Sequence, residues 1–148
     1  MTTTRISVQY EDFDVAVEVD ALSGAGAAGA VASFVGYVRG GDVLAMTLEY
    51  YPGMTERALA DIGAQAHGRW SLLGVRIIHR VGRLLPGERI VFVGVAGSHR
   101  GEAFSACQFI MDYLKTQAPF WKKEETADGA RWVDARDSDE AALQQWRS

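Results

Sequence analysis

The stretch Arg89–Glu125, RIVFVGVAGSHRGEAFSACQFIMDYLKTQAPFWKKEE, switches hydrophobic period along its length, and its reading decides the fold class. RIVFVGVAG is apolar and rich in β-branched residues, so it reads as a strand. Gly97 and Ser98 permit a tight turn, and Ser98 or a neighbour can cap a helix. Apolar positions then recur at helical spacing from about Gly101 to Thr116. Pro119 ends that pattern, and FWKKEE follows as a short extended segment.

Working outward, a turn at Asp128-Gly129, a strand ARWVDA and a short helix SDEAALQQW complete the C-terminal side. On the N-terminal side, RIVFVGVAG and GVRIIHRVG are two strands separated by an LLPGE turn. MTERALADIGAQAHGRW carries Leu59, Ile62, Ala66 and Trp70 at helical spacing, so it reads as a helix despite Gly63. AVASFVGYVRG and VLAMTLEYY read as two strands joined by a short turn around Gly40-Gly41-Asp42. Before the small-residue loop Ser23–Ala30, the alternation of Phe13, Val15, Val17 and Val19 favours a strand, although a short helix could bury part of that set. Strands and helices mix without a βαβ rhythm, which makes the class α+β.

The chain has 148 residues, which fits one domain over residues 1–148, and neither a repeat nor a long linker divides it. A net charge of −4 disfavours nucleic acid as the main partner, since phosphate contacts need a concentrated basic face. No apolar run approaches the roughly 18–20 residues that span a bilayer, and MTTTRISVQYED lacks a signal-peptide core. One cysteine excludes an intrachain disulfide, and no zinc-ligand set is visible. These features point to the cytoplasm.

Ala103, Phe104, Cys107, Ile110, Met111 and Leu114 share one stripe of the long helix, with Cys107 near its centre. A cysteine there behaves as a small buried hydrophobe with an inactive thiol, which argues against a resident sulfur carrier. Lys115 flanks the stripe, where it complements the helix dipole or reaches a ligand past the apolar edge. His99 and Arg100 fall near the first turn, where free N–H groups already favour an anion. Glu102 is the alternative local partner. Arg39 and Arg136 are further cationic candidates, His79 alternates with Ile77 and Val81 as a residue that packs or hydrogen-bonds, and His67 carries no signal.

FVGYVRG, LEYYPGMTERAL, IIHRVGRLLPGE, VFVGVAGSHRGEAFSACQFIMDYLKTQAPFWKKE and RWVDARDSD, in this order and spacing, resemble the catalytic (large) subunit of molybdopterin synthase, the MoaE family. The resemblance is strongest over residues 29–140. It implies an α/β-hammerhead fold with mixed and antiparallel sheets, and it suggests a helix for Phe13–Val19. It also implies a homodimer at the centre of a heterotetramer, with a small ubiquitin-like, MoaD-like carrier subunit at each end. The carrier's C-terminal Gly-Gly tail bears a thiocarboxylate. Such a sulfurtransferase moves two sulfurs in turn to cyclic pyranopterin monophosphate, giving the molybdopterin dithiolene of the molybdenum cofactor, with no cofactor or metal of its own.

By the same resemblance, Lys115 and Lys122 are the catalytic candidates, with Lys115 the first choice. Tyr37, Val38, Arg39, His99, Arg100, Lys123 and Glu124 complete the substrate site with them, Tyr37 through its backbone. Phe34, Met111 and Arg136 stand near the pocket, which the family builds across the dimer interface. Pro119, Phe120 and Trp121 would shape and partly dry it. The alternative is a non-catalytic anion-binding module that docks a ubiquitin-like partner.

Overall fold

The computed structural model describes residues 3–133 and 137–147, and within them the fold is α+β, with two four-stranded sheets. The first sheet holds β1 (Thr3–Gln9), β4 (Leu72–Arg80), β6 (Arg89–Gly97) and β2 (Ala30–Tyr37) in that spatial order. Only the β1–β4 pair is parallel. The second sheet runs β5 (Gly82–Leu84), β3 (Ala45–Tyr50), β7 (Phe120–Thr126) and β8 (Gly129–Val133), antiparallel throughout.

Helices cover both faces of the first sheet. On one face, α2 (Met54–Arg69) and α3 (Arg100–Gln117) bury Leu59, Ile62, Phe109 and Ile110 against Val75, Ile77, Val93 and Val95. Each such fully buried side chain contributes about 1.5–3 kcal/mol of apolar burial. α2 packs close to β1 because Gly63 allows it: a Cβ there would stand 2.6 Å from Thr4 Cγ2. The glycine that weakens the helical pattern is therefore what lets the strand approach. α4 (Asp137–Gln144) adds Leu143, and Trp146 beyond it donates to Asp112 of α3 at 2.6 Å.

The opposite face of the sheet carries α1 (Val15–Ser23), where period 2 favoured a strand. The helix is set by Asp14, whose side chain accepts from the backbone N–H of Val17 at 3.2 Å, and it ends at Gly24 with φ +63°. Val15, Val19 and Leu22, at i, i+4 and i+7, pack with Phe13, Ile78 and Phe92, whereas Val17 is 60% exposed. A strand would have placed Val17 with the buried set, so the alternation was fortuitous. The helix suggested by the family resemblance is the one present.

β2 and β3, the two strands joined by the short turn around Gly40-Gly41-Asp42, enter different sheets. Beyond β2, the N–H of Val38 donates to Glu88 O and its carbonyl accepts from Gly87 N, both at 2.9 Å. The N–H of Leu44 then donates to Glu125 O at 2.7 Å, which starts the chain on the second sheet. The short connection is thus a crossover between sheets. Val38, Met46, Leu48, Val81 and Leu84 form the buried cluster where the sheets meet, with Phe120 packed against it.

Candidate functional site

α3 starts at Arg100, and of Ser98 and its neighbours it is His99 that holds the N-cap position, in extended conformation and with no side-chain cap hydrogen bond. The junction is held from β2's side: Gly29 N–H donates to Gly97 O at 3.0 Å. A Cβ on Gly29 would lie 2.0 Å from Ser98 O, so only glycine admits this approach. His99 and Arg100 are both exposed at this end of the first sheet.

Lys115 lies in the last turn of α3, 15 residues after Arg100. At 1.5 Å per residue the two are separated by roughly 22 Å. Since β6 and α3 run in opposite directions past β2, Lys115 returns to the end of the sheet where β2 stops and Arg39 follows. Within one chain, therefore, His99 and Arg100 do not meet Lys115.

Lys122 follows Lys115 across the Pro119 corner. Thr55 ties the corner between them: its fully buried hydroxyl donates to Pro119 O at 3.0 Å and accepts from Tyr51 N–H at 2.9 Å. β7 then pairs with β3 in the register Phe120–Tyr50, Lys122–Leu48 and Glu124–Met46. Residues opposite one another share a face, so Phe120, Lys122 and Glu124 turn towards the buried Leu48 and Met46. Alternation sends Trp121 and Lys123 to the other face. There Lys123 Nζ lies 5.4 Å above the Trp132 ring, and Trp121 tilts on Tyr51 at 5.6 Å. The expected lysine wall is thus split between two faces of one strand. Glu124 accepts from Arg131 at 3.2 Å, and Arg131 also faces Asp42 at 3.7 Å.

His79, which the sequence reading expects to pack or hydrogen-bond, does both. It is buried, its ring stacks on Phe120 at 3.7 Å and 17°, and Nδ1 lies 2.8 Å from Arg80 O. Burial first, then the nearby charges of Lys115 and Lys122, push its pKa down to about 4 despite the opposing hydrogen bond to Arg80 O. The available signal was a polar residue within the otherwise apolar alternation of IIHRVG.

The other expected residues divide. Arg39 is exposed and follows Val38, whose backbone and side chain are both committed to the fold, so Val38 anchors Arg39 without itself offering a donor. Tyr37 sits at a bulge between Gly36 and Tyr37 with its side chain half exposed. Met111 is a core residue, and Phe34 is exposed on the edge strand β2. Phe104 leaves the buried stripe of α3 at 65% exposure, and Ala106 and Phe109 fill that stripe in its place. Arg136 lies outside the described residues. Cys107 is buried, its thiol faces Val93 O at 3.7 Å, and burial pushes its pKa up to about 11, as a structural cysteine requires.

A groove of about 390 Å³ runs between the 41–44 connection and the β7–β8 hairpin, lined by Asp42, Thr126, Asp128 and Arg131 among others. Neither Lys115 nor Lys122 lines it, and its Arg131 is paired with Asp42 and Glu124. Among the described residues no group of His, Cys, Asp and Glu is arranged to hold a metal, and no helix is long and apolar enough to cross a membrane.

Residues 8–117 match the family model described as MoaE protein. A relative from Ralstonia nicotianae, named molybdopterin synthase catalytic subunit, is 60% identical over 95% of this chain and 83% of its own length. Another of that name, from Vibrio cholerae, is 56% identical over 96% of this chain and 97% of its own. The solved molybdopterin biosynthesis MoaE protein from Burkholderia ambifaria superposes with a TM-score of 0.86 at 57% identity, covering 98% of this chain and 99% of that one.

Proposed function

The chain belongs to the MoaE protein family, and from that premise we propose that it is the catalytic subunit of a molybdopterin synthase, working as a single domain in the cytoplasm. It takes sulfur from the C-terminal thiocarboxylate of a small ubiquitin-like carrier and places it on cyclic pyranopterin monophosphate, twice in succession, to form the dithiolene. The observation that carries this reading is that near-full-length relatives bear that name, and the charges of Lys115 and Lys122, both acting on the buried His79 ring, support the site.

A thiocarboxylate tail and a phosphate-bearing pterin both bring negative charge into the site. Two ammonium groups near a dry, aromatic-backed wall stabilise that charge, and the oxyanion formed on the tail's carbonyl, more strongly than they would in water. Lys115 is the catalytic residue in this reading, with Lys122 beside it and Arg39 holding the substrate's anion. His99 and Arg100, roughly 22 Å along α3 from Lys115, serve the site of a second copy of the chain. Exposed Phe34 and Phe104, on the edge strand and the neighbouring helix, support such a homodimer, with one carrier subunit at each end. Glu124 and Tyr37 border the pocket, and Lys123 belongs to the outer face of β7.

The test mixes the purified chain with thiocarboxylated carrier and cyclic pyranopterin monophosphate and measures molybdopterin, with Lys115→Ala run in parallel. Product from the wild type and a loss of at least about 100-fold in the variant are expected, the range for removing one preorganised charge-stabilising group. Product from both would move the catalytic role to Lys122. No product from an intact wild-type complex would leave a docking module without chemistry.

A further inference from the structure

Arg80 is a buried charge to which the synthase reading gives no task. Its side chain is 8% exposed, and all three guanidinium nitrogens donate hydrogen bonds. Nε and Nη2 donate to Tyr10 O at 3.1 and 2.9 Å, while Nη1 donates to Arg89 O at 3.0 Å and to Glu88 Oε1 at 3.3 Å. Stability alone does not call for this arrangement, since apolar side chains of similar volume often serve a core as well as buried charges do. What the planar fork adds is fixed geometry, here between β4 and the Leu85–Glu88 turn. The other carboxylate oxygen of Glu88 accepts from Leu85 N–H at 2.7 Å, so one side chain closes the turn and ties it to Arg80. The same turn grips the residue before Arg39. Val38 N–H donates to Glu88 O and Gly87 N–H donates to Val38 O, both at 2.9 Å, and the Val38 side chain is buried. On the far side of Arg39, a Cβ on Gly40 would stand 3.7 Å from Pro86 Cβ, so the chain leaves along that turn as well.

We propose that Arg80 and Glu88 are positioning residues for Arg39: the buried guanidinium fixes the Leu85–Glu88 turn through the Glu88 carboxylate, and the turn fixes Val38 and with it the backbone from which the Arg39 side chain starts. Every link from Arg80 to Val38 is a hydrogen bond of the structure, and Arg39 follows by a peptide bond. Arg39 is itself exposed, so its own packing does not order it. An anchored backbone restricts where the guanidinium can search and lowers the ordering cost on binding. A lysine at position 80 could not take over, because a single ammonium cannot hold Tyr10 O, Arg89 O and Glu88 at once. The task given to Arg39, holding the anion of the pterin substrate, rests on the synthase reading.

Two measurements test this. Glu88→Ala cuts the tether at a carboxylate that is 39% exposed, so the core stays intact. Calorimetric binding of cyclic pyranopterin monophosphate should weaken roughly tenfold in Arg39→Ala, the lower end for one charge-assisted hydrogen bond. Glu88→Ala should weaken it about three- to tenfold, and Arg80→Lys, which keeps the charge but loses the fork, should do the same. The double variant Glu88→Ala with Arg39→Ala should bind no worse than Arg39→Ala alone, because Glu88 acts only through Arg39. Wild-type binding in folded Glu88→Ala or Arg80→Lys, or additive losses in the double variant, would overturn the proposal. Independently, hydrogen exchange reads the tether without ligand. The N–H groups of Val38 and Gly87 should exchange at least about tenfold faster in Glu88→Ala, with Val93 of β6 unchanged. Unaltered exchange at Val38 and Gly87 would overturn the proposal whatever the binding shows. A wild type that binds the pterin but forms no product with thiocarboxylated carrier would sink the synthase reading alone, since both measurements still report on Arg39 and its tether.

Discussion

Thr55→Val tests whether the Pro119 corner is held by the first turn of α2. The substitution is nearly isosteric, so it opens no cavity, but it deletes the hydroxyl that donates to Pro119 O and accepts from Tyr51 N–H. Each backbone group left without its partner costs about 1–3 kcal/mol. Tyr51 is exposed and Pro119 partly so, which lets water compensate and puts each cost near the lower bound. The sum is roughly 2–3 kcal/mol, or about 5–10 °C in Tm for a chain of this length. Activity should suffer beyond stability. The corner sets where β7 begins, and a displacement of about 1 Å in Lys122 can cost on the order of 100-fold in rate. Thermal melts and molybdopterin formation well below the transition measure the two effects, with Thr55→Ser as the variant that keeps the hydroxyl. If Thr55→Val melts within about 1 °C of wild type and turns over normally, the tether is unimportant and the reasoning is wrong.

Three other expectations follow from the same structure. Cys107→Ala should retain sulfur transfer, and in the native protein the thiol should resist alkylation at neutral pH. Because its folded pKa is raised to about 11, the stability it contributes is complete below about pH 9 and declines as pH rises from there, which alkaline unfolding of the wild type and Cys107→Ala would compare. His79 has the opposite sign: a folded pKa of about 4 against 6.5 leaves its contribution intact above pH 6.5 and removes it as pH falls towards 4. That loss is on the order of 3 kcal/mol at most, and denaturant titrations across this window should be flatter for His79→Phe. Finally, Arg100→Ala and Lys115→Ala homodimers should each be impaired, whereas a co-expressed mixture should regain activity through mixed dimers holding one undamaged site. Failure of the mixture to exceed either parent would place both residues in one chain's site.

Much of the fold was legible because local pattern and final structure agree. The α3 stripe needs only period 3.6 to be seen, and β7 follows from the break at Pro119. Phe13–Val19 misled because four apolar residues at alternate positions fit a strand, while the deciding feature was the polar cap Asp14 ahead of a helix whose buried set is Val15, Val19 and Leu22. The separation of β2 from β3 had no local signature at all. It is imposed by Val38 bonding to the Gly87–Glu88 turn, about fifty residues away in sequence.

The candidate site divides along the same line between local and non-local causes. A lysine at the end of an amphipathic helix is visible in sequence, but which of two adjacent lysines joins it depends on pleat parity, and parity follows from the register of β7 on β3. A slip of one residue would exchange Lys122 for Lys123. His79 was legible in IIHRVG as a residue that packs or hydrogen-bonds, but its stacking partner Phe120 is brought to it by another element. One non-local fact could nevertheless have been derived from the sequence alone. Arg100 and Lys115 belong to one uninterrupted helix, and a helix of that length is a rigid spacer of roughly 22 Å. No folding of a single chain can bring both to one small phosphate-bearing substrate. If both act in the same reaction, the helix itself requires that they come from different copies, and the edge position of β2 with exposed Phe34 and Phe104 beside it marks the face on which the second copy would sit.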